Sequence, residues 1–263
     1  SARLGGPDAS ANPRLRLERH QVSPRDRGDT LPSECHLYLA TGGPGSPYDG
    51  DGQGWRDEFG ALLDDLIDDN VRTCGRGHAL FAICYSFELV VRHLAVAEVV
   101  PRAYRKLGVM PVYPTLPGRE HPLLSAFGDR LFAFEHRQWE AVSLDDRALV
   151  KCGGRLLATE SRDGHSKGRA LLAFDFAPGI EGVQFHPEAD RAGVLSWLTC
   201  APHAEAFRAT YGTELYERML RTLDDPERLA RTHSLMVPGW LCRRFNLLAE
   251  TRGWTPMSPV GVD

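Results

Sequence analysis

Three residues that could together perform nucleophilic acyl chemistry lie in two short runs of the sequence. Cys84 follows an apolar, strand-like run at 79–83 and is followed at once by a helix-like run. A cysteine on such a strand-to-helix turn lies at a helix N-terminus, which lowers the pKa of its thiol and offers backbone N–H donors. His186 and Glu188 lie two residues apart after another apolar run, so in an extended chain their side chains point the same way. The spacing predicts that Glu188 orients His186 and that His186 deprotonates Cys84; the alternative for Cys84 is a buried structural cysteine.

Apolar periodicity predicts the elements that must position these residues. Strands are expected at 14–22, 36–40, 79–83, 109–113, 131–135, 155–160, 170–176 and 182–186. Helices are expected at 55–70, 87–97, 194–198, 204–211, 214–223 and 226–231. Because strands and helices alternate early and strands dominate the middle, the pattern is typical of a three-layer α/β domain with a mostly parallel central sheet and an antiparallel insertion. We expect a loose N-terminal segment with one strand at 1–30, the α/β domain at 31–198 and a helical C-terminal extension at 199–263.

Composition and charge argue against several classes of protein. The 263 residues include 31 basic and 35 acidic ones, a net charge of -4, which does not suit a nucleic-acid binder that relies on bulk charge. No apolar run reaches the ~18 residues that span a bilayer, and no signal-peptide core is present, so we expect no membrane partner. The six cysteines are scattered without a CxxC pair or zinc-finger spacing. This predicts no metal site and a reducing, cytoplasmic location.

Three sequence blocks, in this order, resemble the class I glutamine amidotransferase superfamily. They are the Gly-Gly-Pro-Gly-Ser-Pro loop at 42–47, the cysteine turn at Cys84 and the run Gly-Val-Gln-Phe-His-Pro-Glu at 182–188. The resemblance covers residues 35–198 and implies a flavodoxin-like fold with a Cys, His, Glu triad. In that family the cysteine is the nucleophile, the histidine the general base and then acid, and the glutamate its orienter. The resemblance therefore gives the triad the same roles as the spacing does.

The resemblance also implies an oxyanion hole and a substrate pocket. The backbone N–H groups of Gly43 and Tyr85 correspond to the oxyanion donors of the family. Gly45, in the same loop, is expected to bind substrate, since it has no Cβ to block the approach. Residues 135–139 resemble the segment that walls the substrate pocket, so His136 and Gln138 are expected to bind substrate. Plain surface positions are the alternative for both side chains.

The cysteine turn departs from the family pattern. The family has glycine two residues before and two after the cysteine, followed by His-Gln, where this sequence has Ala82, Ser86, Phe87 and Glu88. Ala82 and Ser86 suit such a turn only if their φ angles are not left-handed. Gamma-glutamyl hydrolases of the superfamily have a Phe-Glu pair at these positions, so Glu88 is expected to bind the α-ammonium of a γ-glutamyl substrate. An ion pair between Glu88 and Arg92, four residues on, is the alternative.

The first strand of the family has no counterpart in residues 1–13. Either the chain is shortened at its start, or another segment fills the centre of the sheet.

We therefore expect an amidohydrolase that cleaves the γ-amide of glutamine through a cysteine thioester, without a cofactor. Because the sequence has no Walker-type phosphate loop and no room for a synthetase domain, any ammonia acceptor is expected on a separate protein. The C-terminal helices would then form a docking surface or a cap. Two alternatives remain: a γ-glutamyl peptide or conjugate hydrolase, and a non-catalytic family member that acts as a binding or regulatory protein.

Overall fold

The structure, a computed structural model, describes residues 17–161 and 170–258. Within these ranges, seven strands form one sheet in the order β1-β2-β7-β6-β4-β3-β5, accompanied by nine α-helices. The strands are β1 (Leu37–Ala40), β2 (Ala79–Ile83), β3 (Glu98–Pro114), β4 (Leu131–Val142), β5 (Arg155–Thr159), β6 (Leu171–Ala177) and β7 (Ile180–Val183). The helices are α1 (Pro24–Arg27), α2 (Gly54–Arg72), α3 (Tyr85–Leu94), α4 (Leu116–Glu120), α5 (Asp146–Lys151), α6 (Arg191–Thr199), α7 (Ala201–Tyr211), α8 (Thr213–Thr222) and α9 (Glu227–Arg252), with a 3₁₀ helix at Ser125–Phe127.

The sheet is mixed, so the expected mostly parallel sheet is not found. Strands β1, β2 and β7 are parallel, whereas β6, β4, β3 and β5 join the sheet by antiparallel pairings. Only Pro178 and Gly179 connect β6 to β7, and Gly179 has φ +87°. A parallel connection needs a crossover of a dozen or more residues, so this short turn requires an antiparallel pair. Four of the seven described strands, β3 to β6, thus join the sheet by antiparallel pairing, which is more than the antiparallel insertion expected from the sequence.

Helices cover both faces of the sheet because side chains alternate along the buried strands. On β2, Leu80 and Ala82 pack with α2 and α3, whereas Phe81 faces α9. The ring of Trp240 in α9 lies 5.4 Å from that of Phe81, measured between centroids. A third apolar cluster joins helices α6 to α8 to strands β3 and β4. The result is an α/β fold in which the sheet lies between layers of helices.

Helix α9 belongs to the core of the molecule. Glu181 of β7 is buried and accepts hydrogen bonds from Arg243 and Arg244, each with an atom at 2.6 Å. Burial alone would raise the pKa of Glu181, but the two guanidinium groups bring it below its ordinary value. Helices occupy the described C-terminal region up to Arg252, and α9 is one of the layers that cover the sheet.

The N-terminal region differs from the expected strand at 14–22. Residues 14–16 lie outside the described residues, and residues 17–22 form no strand. Alternating sequence is not sufficient for a strand here, because residues 17–22 pair with no strand of the described sheet. The positions without a first-strand counterpart, 1–13, also lie outside the described residues. In the part of the chain that the structure describes, β1 forms one edge of the sheet, and no helix combines the length and apolar character needed to cross a membrane.

Candidate active site

Cys84 occupies a strained turn between β2 and α3. Its φ of 52° and ψ of -106° lie in a region that L-residues rarely adopt, at a cost of about 1–3 kcal/mol. Two backbone hydrogen bonds maintain this conformation: the Cys84 N–H donates to Val183 at 2.9 Å, and the Cys84 carbonyl accepts from Glu88 at 3.1 Å. The sheet and the first turn of α3 therefore fix the thiol at the helix N-terminus.

The two unusual residues of this turn fit without left-handed backbone. Neither Ala82 nor Ser86 is among the described residues with positive φ. Ala82 is fully buried in β2, and the Ser86 hydroxyl donates to the carbonyl of Thr41 at 2.6 Å. Ser86 thus connects α3 to the start of the glycine loop, a contact that glycine could not make.

His186 and Glu188 lie beside Cys84. The backbone N–H of His186 donates to Phe134 of β4 at 2.8 Å, which fixes the chain just after β7. His186 Nδ1 lies 2.8 Å from Glu188 Oε1. Burial lowers the pKa of His186, but hydrogen bonds to Cys84 and Glu188 and the charges of both groups raise it to about 10. The structure thus brings together the three residues predicted as a triad.

The glycine loop closes directly over this triad. A Cβ on Gly42 would lie 3.0 Å from Cε1 of His186 and 3.2 Å from Cβ of Cys84, so only glycine fits without displacing one of them. Gly42 was not singled out from the sequence, although its place before Gly43 is the signal that could have identified it. Gly45 has φ +103°, a backbone conformation that favours glycine, which explains the third glycine of the loop.

The two expected oxyanion donors lie in segments next to Cys84. Tyr85 is the first residue of α3, so its N–H has no acceptor within the helix. Gly43 directly follows Gly42, which contacts the triad. The role of Gly43 and Tyr85 as oxyanion donors stays a prediction.

Glu88 is buried and bound to protein groups. Gln184 Nε2 donates to Glu88 Oε1 at 2.9 Å, and Gln184 Oε1 has no hydrogen-bond partner among the described residues. Burial raises the pKa of Glu88 to about 7, against the hydrogen bond from Gln184 and the charge of Arg137, which lower it. The alternative ion pair with Arg92 is wrong, because both terminal nitrogens of Arg92 lie 2.8 Å from Asp51. A substrate role for Glu88 stays a prediction.

A buried network of charges between β3 and β4 was not anticipated from the sequence. Arg137 Nε donates to Glu135 at 2.6 Å, and Lys106 Nζ lies 3.0 Å from the second oxygen of Glu135. Glu160 contacts Lys106 and lies 3.7 Å from Arg137. Alternating charged residues usually indicate the solvent face of a strand, and only the tertiary structure shows that these side chains pair with one another.

Of the two residues predicted to bind substrate in this segment, His136 lines a cavity and Gln138 does not. A cavity of about 430 Å³ is lined by Phe134, His136, Glu188, Ala189, Asp190, Gly193, Val194 and Trp197. Burial, Arg105 and His186 lower the pKa of His136 to about 4, so its imidazole is neutral at pH 7. Gln138 is exposed and is not among the residues that line this cavity.

Two further features bear on ligands. A larger cavity of about 970 Å³, next to Tyr48, Arg92 and α5, is lined by none of the predicted site residues.

Within residues 17–161 and 170–258, no group of three or more His, Cys, Asp or Glu side chains is arranged to hold a metal ion.

No protein-family model matches the chain, and no curated protein matches it. Among solved structures, a glutamine amidotransferase from Thermotoga maritima aligns with 85% of this chain and 82% of that chain, with a TM-score of 0.56 and 17% identity. A glutamine amidotransferase from Methylobacillus flagellatus aligns with 90% of this chain and 86% of that chain, with a TM-score of 0.56 and 22% identity. The chain therefore has the fold of the glutamine amidotransferases, which confirms the predicted resemblance at the level of the fold.

A third structure, from Thermoplasma acidophilum and described as part of a GMP synthase, aligns with 59% of this chain at 16% identity. The chain spans 65% of that protein, less than two thirds, and the TM-score of 0.44 is too low to support an inference.

Proposed function

We propose that this protein is an amidohydrolase that cleaves the γ-amide of glutamine through a thioester on Cys84. One observation carries the proposal: Cys84, in a strained backbone conformation, lies beside the imidazole of His186, and Nδ1 of that imidazole lies 2.8 Å from Glu188. A buried structural cysteine needs neither the strain nor the paired histidine. The amidotransferase fold supports the same chemistry.

The first half of the proposed reaction forms the thioester. In the proposed reaction His186 takes the proton of the Cys84 thiol, and the resulting thiolate is the nucleophile. The Cys84 sulfur attacks the γ-carbonyl carbon, and the carbonyl electrons move to oxygen, which accepts hydrogen bonds from the N–H groups of Gly43 and Tyr85. His186 then gives its proton to the amide nitrogen as the C–N bond breaks, and ammonia leaves.

The second half releases glutamate. His186 accepts a proton from a water molecule, the water oxygen attacks the thioester carbon, and the C–S bond breaks to regenerate the Cys84 thiolate. Glu188 stabilises the protonated imidazole in both halves through its carboxylate. We propose that the ammonia passes to an acceptor reaction on a separate protein.

A γ-glutamyl hydrolase is the second candidate. The observation in its favour is the carboxylate of Glu88, one helical turn after Cys84, where glutaminases of the family have an amide. In that reaction the leaving group is an amine rather than ammonia. The Glu88→Gln variant should shift the ratio of glutamine to γ-glutamyl peptide cleavage toward glutamine; an unchanged ratio would count against Glu88 as the selecting residue.

Ammonia release from glutamine and amine release from γ-glutamyl peptides test the proposal directly. Wild type should release ammonia, and Cys84→Ala should lower kcat by about 10⁴-fold or more because the nucleophile is lost. Cys200→Ala is the matched control, because this exposed thiol lies at the C-terminal end of α6. Preferential amine release would favour the second candidate. No turnover of either substrate by folded wild type would favour the non-catalytic alternative.

A further inference from the structure

Arg25 lies at the junction of the two segments that carry the expected oxyanion donors. Its Nη1 donates to the carbonyl of Pro44 at 2.7 Å, one residue after Gly43. A Cβ on Gly43 would lie 3.1 Å from Arg25 Nη2, so the guanidinium covers that side of the loop. Arg25 Cζ also lies 4.8 Å from the ring centroid of Tyr85, within the range of a cation–π contact. One side chain therefore contacts both the glycine loop and the residue that follows Cys84.

Arg25 is itself held by the chain around α1. Its Nε donates to Asp26 at 2.8 Å, and the Arg25 side chain is only 25% exposed. The carboxylate of Asp29 accepts from the backbone N–H of Ser23 at 2.8 Å, which closes the turn that contains α1. The hydrogen bond to Asp26 raises the pKa of Arg25, against burial, so the guanidinium stays charged. The guanidinium that contacts the loop is thus itself held by Asp26.

The contact is on the side of the loop away from the reacting atoms. The missing side chain of Gly42 faces Cys84 and His186, whereas that of Gly43 faces Arg25. Arg25 therefore supports the loop from behind rather than pointing at the sulfur of Cys84. An oxyanion donor stabilises a transition state only if its direction is fixed in advance, and this geometry supplies such a support.

We propose that Arg25 is a positioning residue that holds the glycine loop over Cys84 and thereby fixes the Gly43 N–H for the oxyanion. The role rests on the proposed function, since it presupposes an oxyanion in the reaction. A group that acts only on transition-state geometry changes kcat with little effect on KM. The support comes from Arg25 in α1, outside the three residues of the predicted triad.

The test compares Arg25→Gln and Arg25→Lys with Arg27→Gln, in the full chain. Arg27 lies in the same short helix but pairs with Asp29, at 2.8 Å, and not with the loop. We expect Arg25→Gln to lower kcat by about 10–100-fold with KM within about threefold of wild type. Arg25→Lys should recover part of the loss because an ammonium can still donate to Pro44, and Arg27→Gln should match wild type. Millimolar guanidinium should partly restore Arg25→Gln and leave Arg27→Gln unchanged.

Hydrogen–deuterium exchange of the peptide that contains residues 41–46 separates this role from the proposed function. Faster exchange in Arg25→Gln than in Arg27→Gln would show that Arg25 holds the loop even if wild type cleaves neither substrate, an outcome that refutes the proposed function and with it the use of the loop for an oxyanion. Equal exchange, an equal kcat for the two glutamine variants, or a rise in KM at constant kcat would each overturn the role of Arg25.

Discussion

The two sides of the candidate active site are built differently. On the nucleophile side, Cys84 is 6% exposed and is fixed by backbone hydrogen bonds, a positive φ and the close approach of Gly42. On the acid–base side, the Glu188 side chain is 45% exposed and meets His186 through one hydrogen bond. The position of the nucleophile is therefore a property of the backbone, whereas the orientation of the base depends on one side chain. Changes that displace the loop should cost more than changes at Glu188.

Among the changes that test this comparison, Gly42→Ala is expected to have the largest effect. The added methyl would lie 3.0 Å from His186 Cε1 and 3.2 Å from Cys84 Cβ, so the loop or the catalytic pair must move by several tenths of an ångström. Because misplacement of this order disrupts attack geometry, kcat/KM should fall by about 10–100-fold, measured with the substrate that wild type turns over.

Gly54→Ala is the matched control for this change. A Cβ on Gly54 meets no atom of the described residues within 4 Å, and the residue opens α2 without a positive φ. It should retain wild-type kcat/KM. If Gly42→Ala were equally active, the close approach of the loop to the triad would have no catalytic significance.

A smaller effect is expected from Glu188→Gln. The amide can still accept from His186 Nδ1, but it removes the negative charge that helps to raise the pKa of His186 to about 10. Without that charge the imidazolium loses its proton at lower pH, so the alkaline limb of the kcat/KM profile should move to lower pH. Since Glu188 is partly exposed, we expect a loss of only about tenfold at neutral pH.

Asp190→Asn is the comparison for the pH profile. Asp190 is close in sequence but its carboxylate caps α6 at the N–H of Gly193, and asparagine can take over that role. Its alkaline limb should remain nearer to that of wild type. An unmoved limb in Glu188→Gln would show that Glu188 does not set the protonation of His186.

The smallest effect concerns Glu88, which connects the two sides: it lies four residues after Cys84 and bonds to Gln184, two residues before His186. Its pKa rises from 4.5 to about 7 on folding, chiefly through burial. A raised pKa stabilises the fold below about pH 4.5, and this contribution disappears as pH rises through about 7. Wild type should lose at most about 3 kcal/mol over this range.

Urea unfolding between pH 5 and pH 8 measures this loss. In Glu88→Gln the free energy of unfolding should depend less on pH, and at pH 8 the variant should match or exceed wild type because a buried charge is removed. A parallel pH dependence in the two proteins would contradict burial of an ionisable Glu88.

Elements with strong local signals were predictable from the sequence. The five apolar residues of β2 are followed by a cysteine and a helix in the structure, as expected. That Cys84, His186 and Glu188 lie together was also predictable, because the family blocks at 42–47 and 182–188 are short and continuous in sequence. Their catalytic roles stay a prediction.

Features that depend on contacts between distant residues were not predictable. Pro238 lies inside α9, where proline normally interrupts a helix, yet Met236 and Trp240 on either side of it are buried against the sheet. The charges of Lys106, Glu135 and Arg137 look like an exposed strand face until their partners are known. Sheet direction likewise follows from short connections, such as the one between β6 and β7, rather than from strand patterns.

The most direct measurement is mass spectrometry of the folded protein after exposure to a glutamine-directed diazoketone. If the arrangement around Cys84 activates its thiol toward a glutamine-like ligand, one adduct should form on Cys84, with loss of dinitrogen, and excess glutamine should slow its formation. The exposed thiols of Cys74 and Cys200 should remain unmodified on the same time scale. The absence of an adduct on Cys84 in folded protein, or labelling no faster than at Cys74 and Cys200, would contradict the proposed catalytic cysteine.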